Sequence, residues 1–201
     1  GDDRWESMRS LWIEHWEVTE DYRDDFRGWF EVLVSHPPAS IESLSFGGYG
    51  DSSMRSLLGS VADLLDALPT LEHLHLSGSM RHLSSFEAPS LESLILETFE
   101  PPEEGWRAVL SRCELPRLER FEVSVEAGES AQFTPVWGWP QLREVELHGF
   151  ELSAEFVEEA ANGAASLELL RAIDCRIPFE DPDEEQALYD AFIETSDDWA
   201  E

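Results

Sequence analysis

A short block of apolar residues, spaced L-x-x-L-x-L, recurs along the chain and organises everything between its copies. It begins at Met8 (with Leu11 and Ile13), Ile41 (Leu44, Phe46), Leu71 (Leu74, Leu76), Leu91 (Leu94, Leu96), Leu118 (Phe121, Val123), Leu142 (Val145, Leu147) and Leu167 (Leu170, Ala172). Within each block the later apolar residues alternate with other positions, the period-two pattern of a strand buried on one face. Counting from the first apolar residue, positions 4 and 6 turn to the core and positions 3, 5 and 7 to the opposite face. Four blocks carry proline two residues ahead, at Pro69, Pro89, Pro116 and Pro140, where a helix must stop and an extended segment can start. Glutamate follows the first apolar residue in five, as Glu42, Glu72, Glu92, Glu119 and Glu168.

The intervening segments change period. Between 21 and 36, Tyr22, Phe26, Trp29, Phe30, Leu33 and Val34 fall on one helical face before Pro37 and Pro38 end the run. Trp16 and Trp29 read as core residues. Met54, Leu57, Leu58, Val61, Leu64, Leu65 and Leu68 predict a second helix up to Pro69. A third opens after Pro101 and Pro102 with Trp106, Val109 and Leu110, and a fourth spans 153–161, closed by Asn162 and Gly163. The stretch from Leu71 to Pro89 is too short for a full helix, so turn or extended chain is expected there and across 127–139. The segment after Asp181 starts like a capped helix and predicts a cover for the last repeat, which has no neighbour to bury it. The expected architecture is α/β: a horseshoe-shaped solenoid of about seven irregular repeats over 1–179. Parallel strands would line its concave side and helices or loops its convex side, with a capping helix and acidic tail over 180–201.

Two blocks extend to L-x-x-L-x-L-x-x-[N/C]-x-L, with Cys175 and Trp16 at the Asn/Cys position. Elsewhere that position holds Tyr49, Ser79, Phe99, Glu126 and Phe150, so turn hydrogen bonds usually made by asparagine must come from other groups. With its repeated P-x-L-E-x-L-x-L and the run APSLESLILETFEPPEEGWRAVLSRCELPRLERFEV, nearly the whole chain resembles small bacterial leucine-rich-repeat proteins. The resemblance implies a protein-binding scaffold and, as for some such proteins, an immunity protein paired with a toxin. It implies no shared catalytic activity.

Charge narrows the choice of partner. The 201 residues include 44 acidic and 13 basic side chains, all the latter arginine, for a formal net charge of −31. A surface of that sign repels nucleic acid, phosphates and anionic membranes and attracts a basic protein. The apolar fraction of 42% is too high for a disordered acidic tail, and no run approaches the roughly 18 apolar residues of a membrane helix. Cys113 and Cys175 lie far apart in a chain without a secretory-type leader, so both are expected as buried thiols in the reducing cytoplasm.

The block register supplies a map of the exposed face. Its middle and C-terminal rows hold Glu97, Glu122, Glu144 and Glu146 with His73, His75 and His148 nearby, and Arg120 among them. Trp12 and Ile95 would be apolar anchors for a partner. The competing reading is that these are ordinary solvated residues of a very acidic chain. Trp137 and Trp139, flanked by Gly138 and Pro140, are further contact candidates, unless they pack over the stack in place of a missing helix.

Other chemistry finds less support. His73 and His75 form an H-x-H pair that could offer two metal ligands, but Ser43, Ser45, Ser93 and Ile95 in the flanking rows supply no third. No metal or cofactor is expected. The chain has no G-x-S-x-G, no phosphate-binding G-x-x-x-x-G-K-[ST], no H-E-x-x-H and no C-x-x-C, and Gly47 to Gly50 reads as a turn. Glu122 and Glu144 on an open sheet would lack the burial that separates the pKa values of an acid/base pair. The expectation is a non-enzymatic protein-binding module, most specifically an acidic immunity protein that neutralises a basic toxin such as a nuclease. Two alternatives stand beside it: a housekeeping scaffold or regulator, and a metal protein or enzyme built on His73, His75 and neighbouring glutamates.

Overall fold

The computed structural model describes residues 3–14, 25–47, 56–125, 132–133, 138–152, 156 and 167–176. Seven strands, β1 (Ser10–Ile13), β2 (Ser43–Phe46), β3 (His73–Ser77), β4 (Ser93–Thr98), β5 (Arg120–Val125), β7 (Glu144–His148) and β9 (Leu169–Ile173), form one parallel sheet. They lie side by side in chain order, giving an open, solenoid-like α/β fold. A separate two-stranded pair joins β6 (Gln132–Phe133) to β8 (Glu151–Leu152). The described helices are short: α1 (Asp3–Glu6), α2 (Arg27–Ser35), α3 (Val61–Ala67) and α4 (Trp106–Leu110). None is long and apolar enough to cross a membrane.

Four of the seven strands are launched by the same local device. In the four proline-bearing blocks the carbonyl of the residue before proline accepts from the N–H of the block's first leucine. The pairs are Leu68 with Leu71, Ala88 with Leu91, Leu115 with Leu118 and Trp139 with Leu142, at 3.1, 3.3, 3.3 and 3.2 Å. Proline suits the second residue of such a turn because its ring presets φ. The next residue but one then begins the ladder. The Glu42 carbonyl accepts from Glu72 and His73, that of Glu72 from Glu92 and Ser93, and that of Glu92 from Glu119 and Arg120, all between 2.7 and 3.0 Å.

The resulting register aligns equivalent block positions across the sheet. Position 4 runs Leu11, Leu44, Leu74, Leu94, Phe121, Val145, Leu170, and position 6 runs Ile13, Phe46, Leu76, Leu96, Val123, Leu147, Ala172. These rows face the core in the middle strands, whereas Leu170 and Ala172 of β9 are partly or fully exposed. From α2, Phe26 and Phe30 close on Phe46 with ring centroids 5.7 and 4.7 Å apart, while Trp106 of α4 meets Phe150 edge-on.

Several expected elements are placed differently. The second helix begins at Val61 and leaves Leu57 and Leu58 outside it, because Ser60 caps it by accepting from Asp63 N–H and Leu57 bridges to Asp25, while Met54 lies outside the described residues. Gly59 lies so close to Phe30 that a Cβ there would sit 2.6 Å from the Phe30 side chain, which pins the loop ahead of the cap. Trp29 is 45% exposed and not core: α2 buries Phe30 and Leu33, and Trp29 projects to the side of that stripe. A single helical turn, α1, precedes the first strand, and its Trp5 packs on the core with its indole N–H donating to the His36 carbonyl at 2.8 Å. The third helix stands where expected, and no helix occurs between Leu71 and Pro89. Cys113 is buried, but Cys175 is only partly so, and both are free. Trp16, the fourth helix apart from Phe156, and the capping segment after Asp181 lie outside the described residues.

In the fourth block, turn bonds that asparagine would make come from a threonine. Buried Thr98, one residue before the Asn/Cys position, accepts from Met80 and Glu100 N–H at 3.3 and 3.0 Å and donates to the Glu100 carbonyl at 3.0 Å.

Candidate functional site

The face of the sheet turned away from the core is built from block positions 3, 5 and 7. Position 5 runs Trp12, Ser45, His75, Ile95, Glu122, Glu146, Arg171, and position 7 continues from Ser77 through Glu97, Ser124 and His148 to Ile173. The strand register aligns these rows as the sequence assigns them, except that Ser77 and Gly47 at position 7 are buried.

Glu122 and Glu146 stand directly opposite each other on β5 and β7. Like charges in that position repel, so the pair requires compensation. Arg120 donates to Glu122 Oε2 at 2.9 Å, and Arg171 reaches Glu146 Oε2 at 3.5 Å. The other carboxylate oxygens converge on His148: its Nε2 is 3.0 Å from Glu146 Oε1 and 3.9 Å from Glu122 Oε1. The two carboxylates are only 16–17% exposed, so these contacts are screened less than ordinary surface ion pairs.

A second acid/histidine pair lies on β3 and β4. His75 Nε2 is 3.2 Å from Glu97 Oε2, and His75 Nδ1 is 3.0 Å from the Ser45 hydroxyl. The Nε2 contact is close enough for an ion pair but misaligned for a hydrogen bond, leaving that buried nitrogen without a hydrogen-bond partner. Burial alone would raise the Glu97 pKa. Contact with His75 and its charge, the Ser77 hydroxyl and the charge of His148 outweigh burial and hold the carboxyl below its ordinary range.

The remaining expected residues divide clearly. Trp12 is 59% exposed at the β1 edge, with its indole N–H donating to the Gly47 carbonyl at 3.2 Å. Ile95 is half-buried between His75 and Glu122 in row 5. His73 is exposed and in register with Ser43 and Ser93 in row 3, separate from the two acid/histidine pairs. Glu144 lies opposite Arg120 in the same row. A groove of about 310 Å³ runs past His73, Arg120 and Glu144 toward Arg143, its walls carrying both signs of charge.

Trp139 is a correction. It is buried at 6% exposure, packs edge-on against Phe121 with centroids 5.3 Å apart, and donates to the Cys113 carbonyl at 3.4 Å. It occupies the turn position filled by Leu68, Ala88 and Leu115 in other blocks, all of them buried. Trp137 lies outside the described residues. Arg171, at position 5 of the last block, joins the site as the arginine beside Glu146.

Chemically, the face offers carboxylates held by guanidinium groups and imidazoles held by carboxylates. Glu122, Glu146 and His148 can also present one metal-ligating atom each within 4.8 Å of one another, the group of three with that property among the described residues. Burial pushes the Cys113 thiol pKa up, and burial likewise dominates at Cys175 over its backbone hydrogen bonds, so neither presents a reactive thiolate at neutral pH.

The fold and this face define an open parallel α/β sheet carrying a braced acidic surface. No family model matches the chain, and no curated protein is similar to it. A crystal structure of a Bacteroides fragilis protein, from the Northeast Structural Genomics Consortium, is similar with a TM-score of 0.54 and 15% identity, over 88% of this chain and 69% of that one. A likeness at that identity is one of fold alone.

Proposed function

We propose that the chain is a leucine-rich-repeat module that binds a basic protein through the outward face of its sheet, without catalysing a reaction. The observation that carries this reading is the set of half-buried carboxylates at Glu97, Glu122 and Glu146, each held in place by arginine or histidine on its own strand or the next. Side chains fixed before binding lose little entropy when a partner docks. Paired hydrogen-bonding groups on a flat, rigid sheet suit a protein surface of about 800 Å² per side. The charge of −31 adds long-range attraction for a cationic partner.

More specifically, the chain is an acidic inhibitor that neutralises a basic toxin, with a nuclease cleft as the best fit to this charge. The resemblance to small bacterial leucine-rich-repeat proteins supports the immunity role, and the acidic rows support the sign of the partner. The general scaffold reading shares the same face and differs only in the partner's identity. Catalysis built on His73 and His75 together draws less support, since His73 lies in row 3, apart from the contacts His75 makes with Ser45 and Glu97.

The test is capture from a lysate of the source organism at low and high salt, using wild type and a Glu122→Gln, Glu144→Gln, Glu146→Gln variant. Retention of a basic protein by wild type at low salt, and its loss with the variant, supports the reading. Equal retention by both proteins, or none by either, overturns it.

A further inference from the structure

We propose that Glu122, Glu146 and His148 form a binding site for a divalent ion of the Zn²⁺ or Mn²⁺ kind on the outward face of the sheet. The site goes beyond protein binding and does not depend on it. One potential ligand atom from each residue lies within 4.8 Å of the others. His148 Nε2 is 3.0 and 3.9 Å from the Oε1 atoms of Glu146 and Glu122. With metal–ligand bonds of about 2.1 Å, ligand atoms are separated by about 3.0 Å in an octahedron and about 3.4 Å in a tetrahedron. The His148–Glu146 edge already has the octahedral spacing, and the His148–Glu122 edge must close by about 0.5–0.9 Å for the residues to surround an ion.

The supporting groups are already arranged. Arg120 and Arg171 hold the outer oxygens, Oε2 of Glu122 and Oε2 of Glu146, leaving both Oε1 atoms turned to the imidazole. Hydrogen bonds to the far oxygen of a ligating carboxylate are the usual way a protein orients it. The three residues also sit on two adjacent hydrogen-bonded strands, so the backbone does not have to close around the ion. A donor set of two carboxylates and one imidazole suits ions between the hard and soft limits, with water completing the shell on the open side.

The competing occupant is a proton on His148 Nε2, which would bridge the two carboxylates without any metal. An ion displaces that proton, so the two states are exclusive and measurable.

The full chain, stripped with a chelator, is titrated with ZnCl2 and separately with MnCl2 by calorimetry, with no protein partner present. The expected result for at least one salt is one ion per chain, with His148→Ala and a Glu122→Gln, Glu146→Gln variant each weakening binding at least about tenfold. His73→Ala, outside the triad, should bind as wild type does. Far-UV circular dichroism confirms that each variant is folded, and a Zn²⁺-induced shift of the His148 Nε2 resonance reports coordination directly in the wild type. Absence of saturable binding for both salts overturns the proposal. So does binding that both triad variants retain unchanged, because the ion would then sit elsewhere.

Discussion

Two tryptophans show how much depends on register at the level of the single residue. Trp139 fills the buried turn position before proline, whereas Trp12 projects from row 5 into solvent. Trp139→Ala should therefore cost about 3–5 kcal/mol by leaving a cavity against Phe121. Trp12→Ala should cost less, about 1–2 kcal/mol, through the lost hydrogen bond to the Gly47 carbonyl and the covered part of the ring. Urea denaturation of the two variants checks both values. The sequence contained the signal for Trp139: the tetrapeptides Leu68 to Leu71, Ala88 to Leu91, Leu115 to Leu118 and Trp139 to Leu142 share one pattern, with the first residue buried. An aromatic beside glycine and proline reads as an exposed loop only when that alignment is overlooked.

Glu97 makes a prediction in pH at the same scale. Its carboxyl is held below its ordinary value of 4.5, so it binds a proton less readily folded than unfolded. Its stabilising contribution is complete above that ordinary value and is lost as pH falls through the lower folded value. The stability of the other carboxylates moves separately, since protonating an overcharged protein relieves its self-repulsion. The informative quantity is the difference in unfolding free energy between wild type and Glu97→Gln, which should be constant near neutral pH and shrink below 4.5. A difference that stays flat into acid would contradict the assignment.

At the scale of elements, the strands were legible because period-two patterning, proline and the block spacing agree. The helices were less so. Met54 to Leu68 has helical spacing throughout, yet the close approach of Gly59 to Phe30 and the cap at Ser60 restrict helix to Val61–Ala67. Those are tertiary facts that no local pattern contains. The turn chemistry was similarly hidden, because Thr98 replaces asparagine from a neighbouring position. Thr98→Val keeps the shape but removes an acceptor for two backbone N–H groups and a donor to one carbonyl. It should cost about 1–3 kcal/mol in equilibrium unfolding. Gly47 has φ of +97° and no room for a side chain, since a Cβ would lie 2.5 Å from that of Ser77. Gly47→Ala should destabilise by about 1–3 kcal/mol, read from the same measurement.

For the whole molecule, the acidic sign of the proposed binding face and the rows that build it were readable from charge and register together. What charge could not show was bracing: the convergence of His148 on two glutamates and of Arg171 on one depends on rotamers across strands far apart in sequence. That bracing separates a preorganised face from a merely solvated one. The net charge of −31 also predicts opposite salt effects on folding and on binding. Screening should raise the melting temperature between about 0.02 and 0.2 M NaCl while slowing association with a basic partner.

Carboxyl footprinting of a captured complex, compared with the free chain, tests the location of binding most directly. Binding through the outward face of the sheet predicts protection of Glu97, Glu122, Glu144 and Glu146, with Glu31 of α2 and Asp66 of α3 labelled as in the free protein. Protection of Glu31 and Asp66 with the sheet glutamates unchanged would place the partner on the helical side and contradict the acidic face as the binding surface.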